Sequence, residues 1–114
     1  MMGSKDAYLF TYKINPNQSL QPGYWIFDRY QIVKRTTKRV YFCKTGKRID
    51  EHGEPINFRG PRYFEDARLG FVDRQKLEAN GEIFSHCWYG NIKLNLHFFT
   101  SMELIRERIT EHDS

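Results

Sequence analysis

Two alternating runs of residues, one on each side of a Gly-Asn dipeptide, limit the folds open to this chain. Glu82 to Tyr89 and Ile92 to Thr100 alternate apolar and polar side chains, and Gly90-Asn91 joins them. Alternation with a period of two is typical of a strand with one buried face. Gly-Asn suits the primed two-residue turn, which requires positive φ. The sequence therefore predicts an antiparallel hairpin here.

The predicted turn determines which side chains share a face of this hairpin. Its first cross-strand pair is Tyr89 with Ile92. The predicted core face holds Ile83, Cys87, Tyr89, Ile92, Leu94, Leu96 and Phe98, and the opposite face holds Phe84, His86, Trp88, Lys93, Asn95 and His97. We expect Phe84 to be buried. For Trp88 two alternatives stay open, which are burial and an exposed ring that stacks on an unpaired base.

The other elements are also short strands, with a change of period near the C-terminus. Further strands are predicted in Tyr8 to Ile14, Tyr24 to Phe27, Tyr30 to Arg35 and Arg39 to Lys44. Asp73 and Gly81 are suited to cap a short helix between them. Thr100 and Glu103 fit a capping box for a helix over residues 101–112, whose apolar stripe is Met102, Ile105 and Ile109.

These elements predict a mainly β domain with one C-terminal helix. We expect a small antiparallel, partly open barrel, SH3-like or OB-like, with about five strands and one short helical turn. A curved sheet covered by the C-terminal helix is the alternative. The length of 114 residues fits one domain, predicted over residues 7–114, and residues 1–6 are interpreted as a disordered N-terminus or a cloning scar.

Composition excludes several classes of protein. Charged residues make up 28% of the chain and hydrophobic residues 39%, as in a soluble globular domain. No apolar run approaches the roughly 18 residues of a membrane helix, so we expect a cytoplasmic protein without membrane contact. Cys43 and Cys87 lack metal-ligand spacing, and we expect neither a metal nor a cofactor.

Positive charge is concentrated in one segment. Arg29 to Ile49 contains eight Lys or Arg and no acid, whereas the whole chain carries a net charge of +4. A localised basic block of this kind indicates a place where an anion could bind.

Within this block, a hairpin turn near Thr36-Thr37 places cations opposite one another. A two-residue turn pairs Lys34 with Arg39 and directs Val33 into the core, and a three-residue loop pairs Arg35 with Arg39. Either arrangement costs about 0.2 to 1 kcal/mol, which an anionic partner would relieve. The alternative is that these side chains are solvated and protect an exposed strand.

We therefore predict a nucleic-acid-binding surface, because Lys and Arg neutralise phosphates and exposed aromatic rings stack on bases. Its predicted residues are Lys34, Arg35, Lys38, Arg39, Tyr41, Lys44, Lys47, Arg48, Trp88 and Lys93. RNA or single strands are favoured over duplex DNA.

Two further hypotheses remain. One is a protein-interaction module, such as a small accessory or inhibitor protein encoded by a virus or mobile element, that docks on an acidic partner. The other is a metal-independent ribonuclease in which His86 and His97 act as acid and base and Lys93 stabilises negative charge. No acid adjoins these histidines in the predicted face, so a metal site is not expected there.

Overall fold

The computed structural model describes residues 7–16, 23–57 and 68–113, and strands dominate them. Residues 1–6 lie outside this part of the chain. The elements are β1 (Tyr8–Ile14), β2 (Trp25–Arg35), β3 (Arg39–Cys43), β4 (Lys47–Ile49), β5 (Leu69–Asp73), α1 (Arg74–Asn80), β6 (Glu82–Tyr89), β7 (Ile92–Phe99) and α2 (Met102–Asp113). Neither helix in the described residues is long and apolar enough to cross a membrane.

The strands form one antiparallel sheet that curves into a nearly closed barrel. Six strands follow one another in the order β5-β3-β2-β1-β7-β6, and β4 pairs with β2 beside this path. The small β-rich barrel expected from the sequence is confirmed. β5 and β6 stand at the two ends of the sheet order, and α1 connects them along the chain.

The long strand β2 pairs with two partners in succession along one edge. Phe27 lies opposite Ile49 of β4, and Ile32 lies opposite Phe42 of β3. Between Ile32 and Lys34 the register shifts, which makes Val33 the extra residue of a β-bulge. Val33 is 48% exposed, so its predicted place in the core is wrong. A bulge bends a strand and re-aims its side chains, which helps the sheet to curve.

Each side of the sheet carries a buried cluster, and β1 contributes to both. Leu9 points into the barrel interior, while its neighbour Phe10 packs on the outer face beneath α2. The buried interior side chains are Leu9, Tyr30, Val40, Phe42, Val72, Leu77, Cys87, Tyr89 and Phe98. Those buried under α2 are Phe10, Phe27, Ile49, Phe99, Met102 and Ile105. The structure therefore combines the barrel and the helix-covered sheet, which were alternative predictions from the sequence.

Helix α1 has the caps that the sequence predicts. The Asp73 side chain accepts a hydrogen bond from the backbone N–H of Lys76, and Gly81 adopts a left-handed conformation with φ of 73°. Leu77 on this helix is buried in the barrel interior. α1 therefore covers part of the barrel between β5 and β6.

Helix α2 begins at Met102, one residue later than predicted. The Ser101 hydroxyl accepts from the backbone N–H of Leu104 at 3.3 Å, whereas the Thr100 hydroxyl donates to the carbonyl of Gly81. The N-cap prediction for Thr100 is therefore wrong, because that side chain binds Gly81, the C-cap residue of α1, instead. The apolar stripe of Met102, Ile105 and Ile109 is confirmed by its packing on the sheet.

The β6–β7 hairpin has the predicted register throughout, from Tyr89 opposite Ile92 to Ile83 opposite Phe98. Gly90 has a φ of 63°, as the predicted turn requires. Two burial predictions are wrong, since Ile92 is 49% and Phe84 75% exposed. Ile92 adjoins the turn. Helix α2 packs mainly on β1 and β7, which leaves Phe84 and Trp88 exposed on the outer face of β6.

Candidate nucleic-acid interface

The turn of the basic hairpin β2–β3 lies at Thr37-Lys38. The backbone N–H of Thr36 donates to the carbonyl of Arg39 at 2.8 Å, and the N–H of Arg39 donates to the Thr36 hydroxyl at 3.0 Å. The turn position therefore differs from both predicted ones, and a side chain takes part in closing the turn.

This turn gives a register in which the predicted repulsion does not arise. Arg35 lies opposite Val40, and Lys34 lies opposite Tyr41. Both predicted registers are therefore wrong, and in the described β2–β3 ladder no cation faces another. The bulge adds Val33 as one unpaired residue, and Ile32 therefore lies opposite Phe42 on the core face.

The cations of this hairpin lie over aromatic rings instead. The Lys34 ammonium is 4.6 Å from the centre of the Tyr41 ring, and the Arg39 guanidinium carbon is 4.1 Å from the centre of the Phe71 ring. The centres of the two rings are 5.9 Å apart. We call Lys34, Arg39, Tyr41 and Phe71 the cation–aromatic surface. It occupies the outer face of neighbouring strands β2, β3 and β5.

Phe71 was not among the predicted site residues. It lies opposite Tyr41 in the β3–β5 ladder and is 47% exposed. The alternation of Leu69, Phe71 and Asp73 with the inward Gly70 and Val72 was the available signal. This signal identifies Phe71 as a site residue only when β5 is known to pair with β3, and the local sequence does not show that pairing.

The start of α1 braces the turn that carries Lys38. The backbone N–H of Arg74 donates to the carbonyl of Lys38 at 3.0 Å, and its guanidinium donates to the carbonyl of Thr36 at 3.1 Å. The same guanidinium binds Glu78 one helical turn later. Helix α1 therefore restrains the hairpin turn from outside the β2–β3 ladder.

Two predicted site cations have partners away from the cation–aromatic surface. Lys44 is buried, and its ammonium donates to the carbonyl of Trp88 while its own carbonyl accepts from the hydroxyl of Tyr89. Arg48 binds Asp28 at 2.7 Å, and its side chain is 14% exposed. Lys44 thus holds β6 against the end of β3, and the charge of Arg48 is compensated by Asp28.

Three other predicted cations are exposed: Arg35, Lys38 and Lys47. Lys47 lies opposite Arg29 in the β2–β4 ladder, so a like-charge pair does occur, although not where we expected it. The guanidinium of Arg29 lies 4.3 Å from the centre of the Tyr8 ring. Arg29 extends the positive charge along the outer face of β2, whereas Arg35 lies opposite Val40, which points into the barrel interior.

The two histidines of the β6–β7 hairpin each have a polar partner. The His86 ring contacts the Asn95 side chain, and Nε2 of His97 lies 2.8 Å from a carboxylate oxygen of Glu82. Glu82 also accepts from Arg108. The expectation that no acid adjoins these histidines is therefore wrong. The hairpin register places Glu82 on their face, at the start of β6.

Contacts around Glu82 change its titration. Burial acts to raise the pKa of Glu82, but hydrogen bonds from Arg108 and His97 outweigh burial and lower it. The carboxylate therefore links β6, β7 and α2 as an anion.

In residues 7–16, 23–57 and 68–113 no group of three or more His, Cys, Asp or Glu side chains could hold a metal ion.

Trp88 and Lys93 belong to a different part of the surface from Tyr41. Trp88 is 52% exposed on β6, with Lys93 opposite it on β7. β6 ends the sheet order on one side, whereas Tyr41 is on β3, next to the other end. The predicted binding residues are thus divided between two strand pairs.

Comparisons with protein-family models, curated proteins and solved structures gave no significant match.

Proposed function

We propose that this protein is a non-enzymatic module that binds single-stranded nucleic acid on the cation–aromatic surface. The observation that supports it is the pair of rings, Tyr41 and Phe71, 5.9 Å apart on an outer sheet face with a cation over each. Stacking of a base on an aromatic side chain contributes about 1 to 3 kcal/mol. Lys34 and Arg39 would leave the rings to contact the phosphates as bases stack.

Single strands suit this surface better than duplexes. Rings on a sheet face can stack only on bases whose own faces are free, and the bases of a duplex are stacked on one another. OB-like barrels bind single strands in this way, and we retain that architecture as an interpretation of the nearly closed barrel. A cytoplasmic location and function without a cofactor remain predictions.

The charges around the rings favour nucleic acid over a protein partner. Lys38 is exposed in the turn next to Arg39, and Arg35 is exposed at the end of β2, next to Lys34 along the chain. The nearest acid along β5 is Asp73, which accepts the cap hydrogen bond of α1. A polynucleotide presents a phosphate and a ring at every step, and so complements both the cations and the aromatic side chains.

The test measures binding of a fluorescently labelled single strand of about 12 nucleotides by anisotropy. The site variant is Lys34→Glu with Arg39→Glu. The matched control is Lys13→Glu with Arg106→Glu, which makes the same change in net charge at exposed positions on β1 and α2. We expect the site variant to lose about tenfold or more in affinity and the control to lose much less.

Two further measurements test stacking and charge separately. Phe71→Leu keeps an apolar side chain but removes the ring, and should weaken binding by about 5-fold to 100-fold. For contacts with about three or four phosphates, the slope of log affinity against log salt should be about −2 to −3 for a single strand.

Three results would contradict the proposal. They are equal losses in the site and control variants, tighter binding of the matching duplex, and no binding at low salt. The protein-interaction alternative would be supported by a different pair of results. The protein would bind no nucleic acid, and it would capture one acidic protein in a way that Lys34→Glu with Arg39→Glu abolishes.

A further inference from the structure

A second exposed aromatic face lies on the β6–β7 hairpin. Phe84 is 75% exposed and Trp88 52% exposed, and both project from the outer face of β6. Lys93 lies opposite Trp88, and the His97 ring stacks on Phe84 with centres 3.8 Å apart. We call Phe84, Trp88 and Lys93 the hairpin aromatic face.

Packing of the domain does not account for these exposed rings. Helix α2 covers the outer face of β1 and β7, where Phe10 and Phe99 are buried. Phe84 and Trp88 contribute to neither buried cluster. Single exposed apolar residues are normal, but two large rings on one face of one strand indicate a contact surface.

The hairpin aromatic face and the cation–aromatic surface are neighbours across the seam of the barrel. β5 runs into α1, and β6 leaves it after Gly81, so Asp73 and Glu82 are separated by a helix of about 10 Å. At the other end of the seam, Lys44 directly follows β3 and donates to the carbonyl of Trp88. The outer faces of β5 and β6 are thus held side by side.

The charge of the hairpin aromatic face suits a polyanion. Lys93 is exposed beside Trp88. Glu82, the acid on this side of the hairpin, is engaged by both Arg108 and His97, so its charge is compensated. A phosphate next to Trp88 would therefore meet a cation and no uncompensated carboxylate of this hairpin.

We propose that the hairpin aromatic face is a second stacking subsite for the same nucleic-acid strand. A short oligonucleotide occupies the cation–aromatic surface, and a longer strand crosses the seam to stack on Trp88 and Phe84. This inference rests on the proposed function and adds a site and a length requirement to it. An OB fold binds about 4 to 16 nucleotides, which is the range in which the effect should emerge.

The experiment combines strand length with substitution. Labelled oligothymidylates of about 4 and about 12 nucleotides are titrated with wild type, Trp88→Ala and Phe84→Ala. The control is Tyr24→Ala, because Tyr24 is 56% exposed just before β2. We expect Trp88→Ala to weaken binding of the 12-mer by about 5-fold to 100-fold and to leave that of the 4-mer unchanged. Tyr24→Ala should change neither.

Tryptophan fluorescence gives an independent readout. The chain has two tryptophans, and Trp25→Phe leaves Trp88 as the only one. Stacking on Trp88 should quench its emission with the 12-mer and not with the 4-mer. The Lys34→Glu and Arg39→Glu changes in this background should remove the quenching at the same concentrations.

The outcomes separate this inference from the function on which it rests. If wild type binds neither length, both fail. If wild type binds the 4-mer through Lys34 and Arg39 but Trp88→Ala does not weaken the 12-mer, the second subsite alone is overturned. The same holds if Trp88 fluorescence is unaffected by the 12-mer, and the face is then available for a protein partner.

Discussion

The two hairpins of this barrel differ in how their registers are determined. In β6–β7 the turn contains Gly90 at a φ of 63°, and every cross-strand pair follows from that turn. In β2–β3 the turn is closed by the Thr36 hydroxyl, and a bulge at Val33 shifts the ladder again. A turn that requires positive φ can be recognised in a sequence from its glycine. A turn closed by a Ser or Thr side chain cannot be placed in this way, because neighbouring residues can form a similar turn.

The hairpins also differ in how their charges are compensated. Glu82 of β6 is bound by His97 and Arg108 within the fold. Lys34 and Arg39 of the basic hairpin lie over aromatic rings instead. Cation–π contacts at exposed positions are worth about 0.5 to 1 kcal/mol, so these cations can be redirected to a ligand at little cost.

The largest predicted effect tests whether the two hairpins share one core. Phe42 and Phe98 are fully buried with ring centres 4.8 Å apart. Phe42→Ala and Phe98→Ala should each lower the free energy of unfolding by about 3 to 5 kcal/mol. In urea denaturation the double variant should show a coupling of about 0.5 to 1.5 kcal/mol. Phe84→Ala, the exposed control, should cost less than about 1 kcal/mol, and additive losses would indicate separate cores.

The next effect compares the two turns. Gly90→Ala should destabilise the protein by about 1 to 2 kcal/mol, because alanine is strained at this φ although there is space for its Cβ. Thr36→Val should cost about 1 kcal/mol by removing the hydroxyl that accepts from Arg39. Thr37→Val is the matched control at the adjacent exposed position, and chemical denaturation measures all three. A larger loss for Thr37→Val than for Thr36→Val would contradict the observed turn.

A smaller, pH-dependent effect is expected at Glu82. Its pKa is lowered in the folded state, so the carboxylate stabilises the fold above its ordinary pKa of 4.5 and loses this effect as pH falls through the lowered value. Glu82→Gln should therefore be less stable than wild type by about 1 kcal/mol at neutral pH. The difference should vanish in acid. Urea unfolding at about pH 7 and about pH 3 tests this, and a difference that persists in acid would exclude the charge as its cause.

The smallest predicted effect is a change in stability at Lys34. Its sign distinguishes the observed register of the basic hairpin from the predicted pairing of Lys34 with Arg39. Lys34→Gln should destabilise the protein by about 0.5 kcal/mol, because it removes the contact with Tyr41. Had Lys34 faced Arg39, the same change would have relieved repulsion and stabilised the protein. Lys38→Gln at the turn is the control and should have almost no effect. The measurement is the midpoint of urea denaturation at low salt.

Local patterns were sufficient for much of the fold. Asp73 and Gly81 delimit α1 as predicted, since a cap and a left-handed glycine depend on a few neighbouring residues. The candidate site was harder to predict. Tyr41, Lys34 and Arg39 were identified from the basic block, but Phe71 is 30 residues after Tyr41 and meets it only through strand pairing.

The sequence alone determined the antiparallel class, the β6–β7 register, the short capped helix and the location of the excess positive charge, because each depends on alternation, turn chemistry or composition. Tertiary structure decided which cations are available at the surface. Lys44 is buried against Trp88 and Arg48 is paired with Asp28, while Lys34 and Arg39 lie over rings. These differences depend on contacts between distant strands, and a run of basic residues carries no information about which strand will lie beside it.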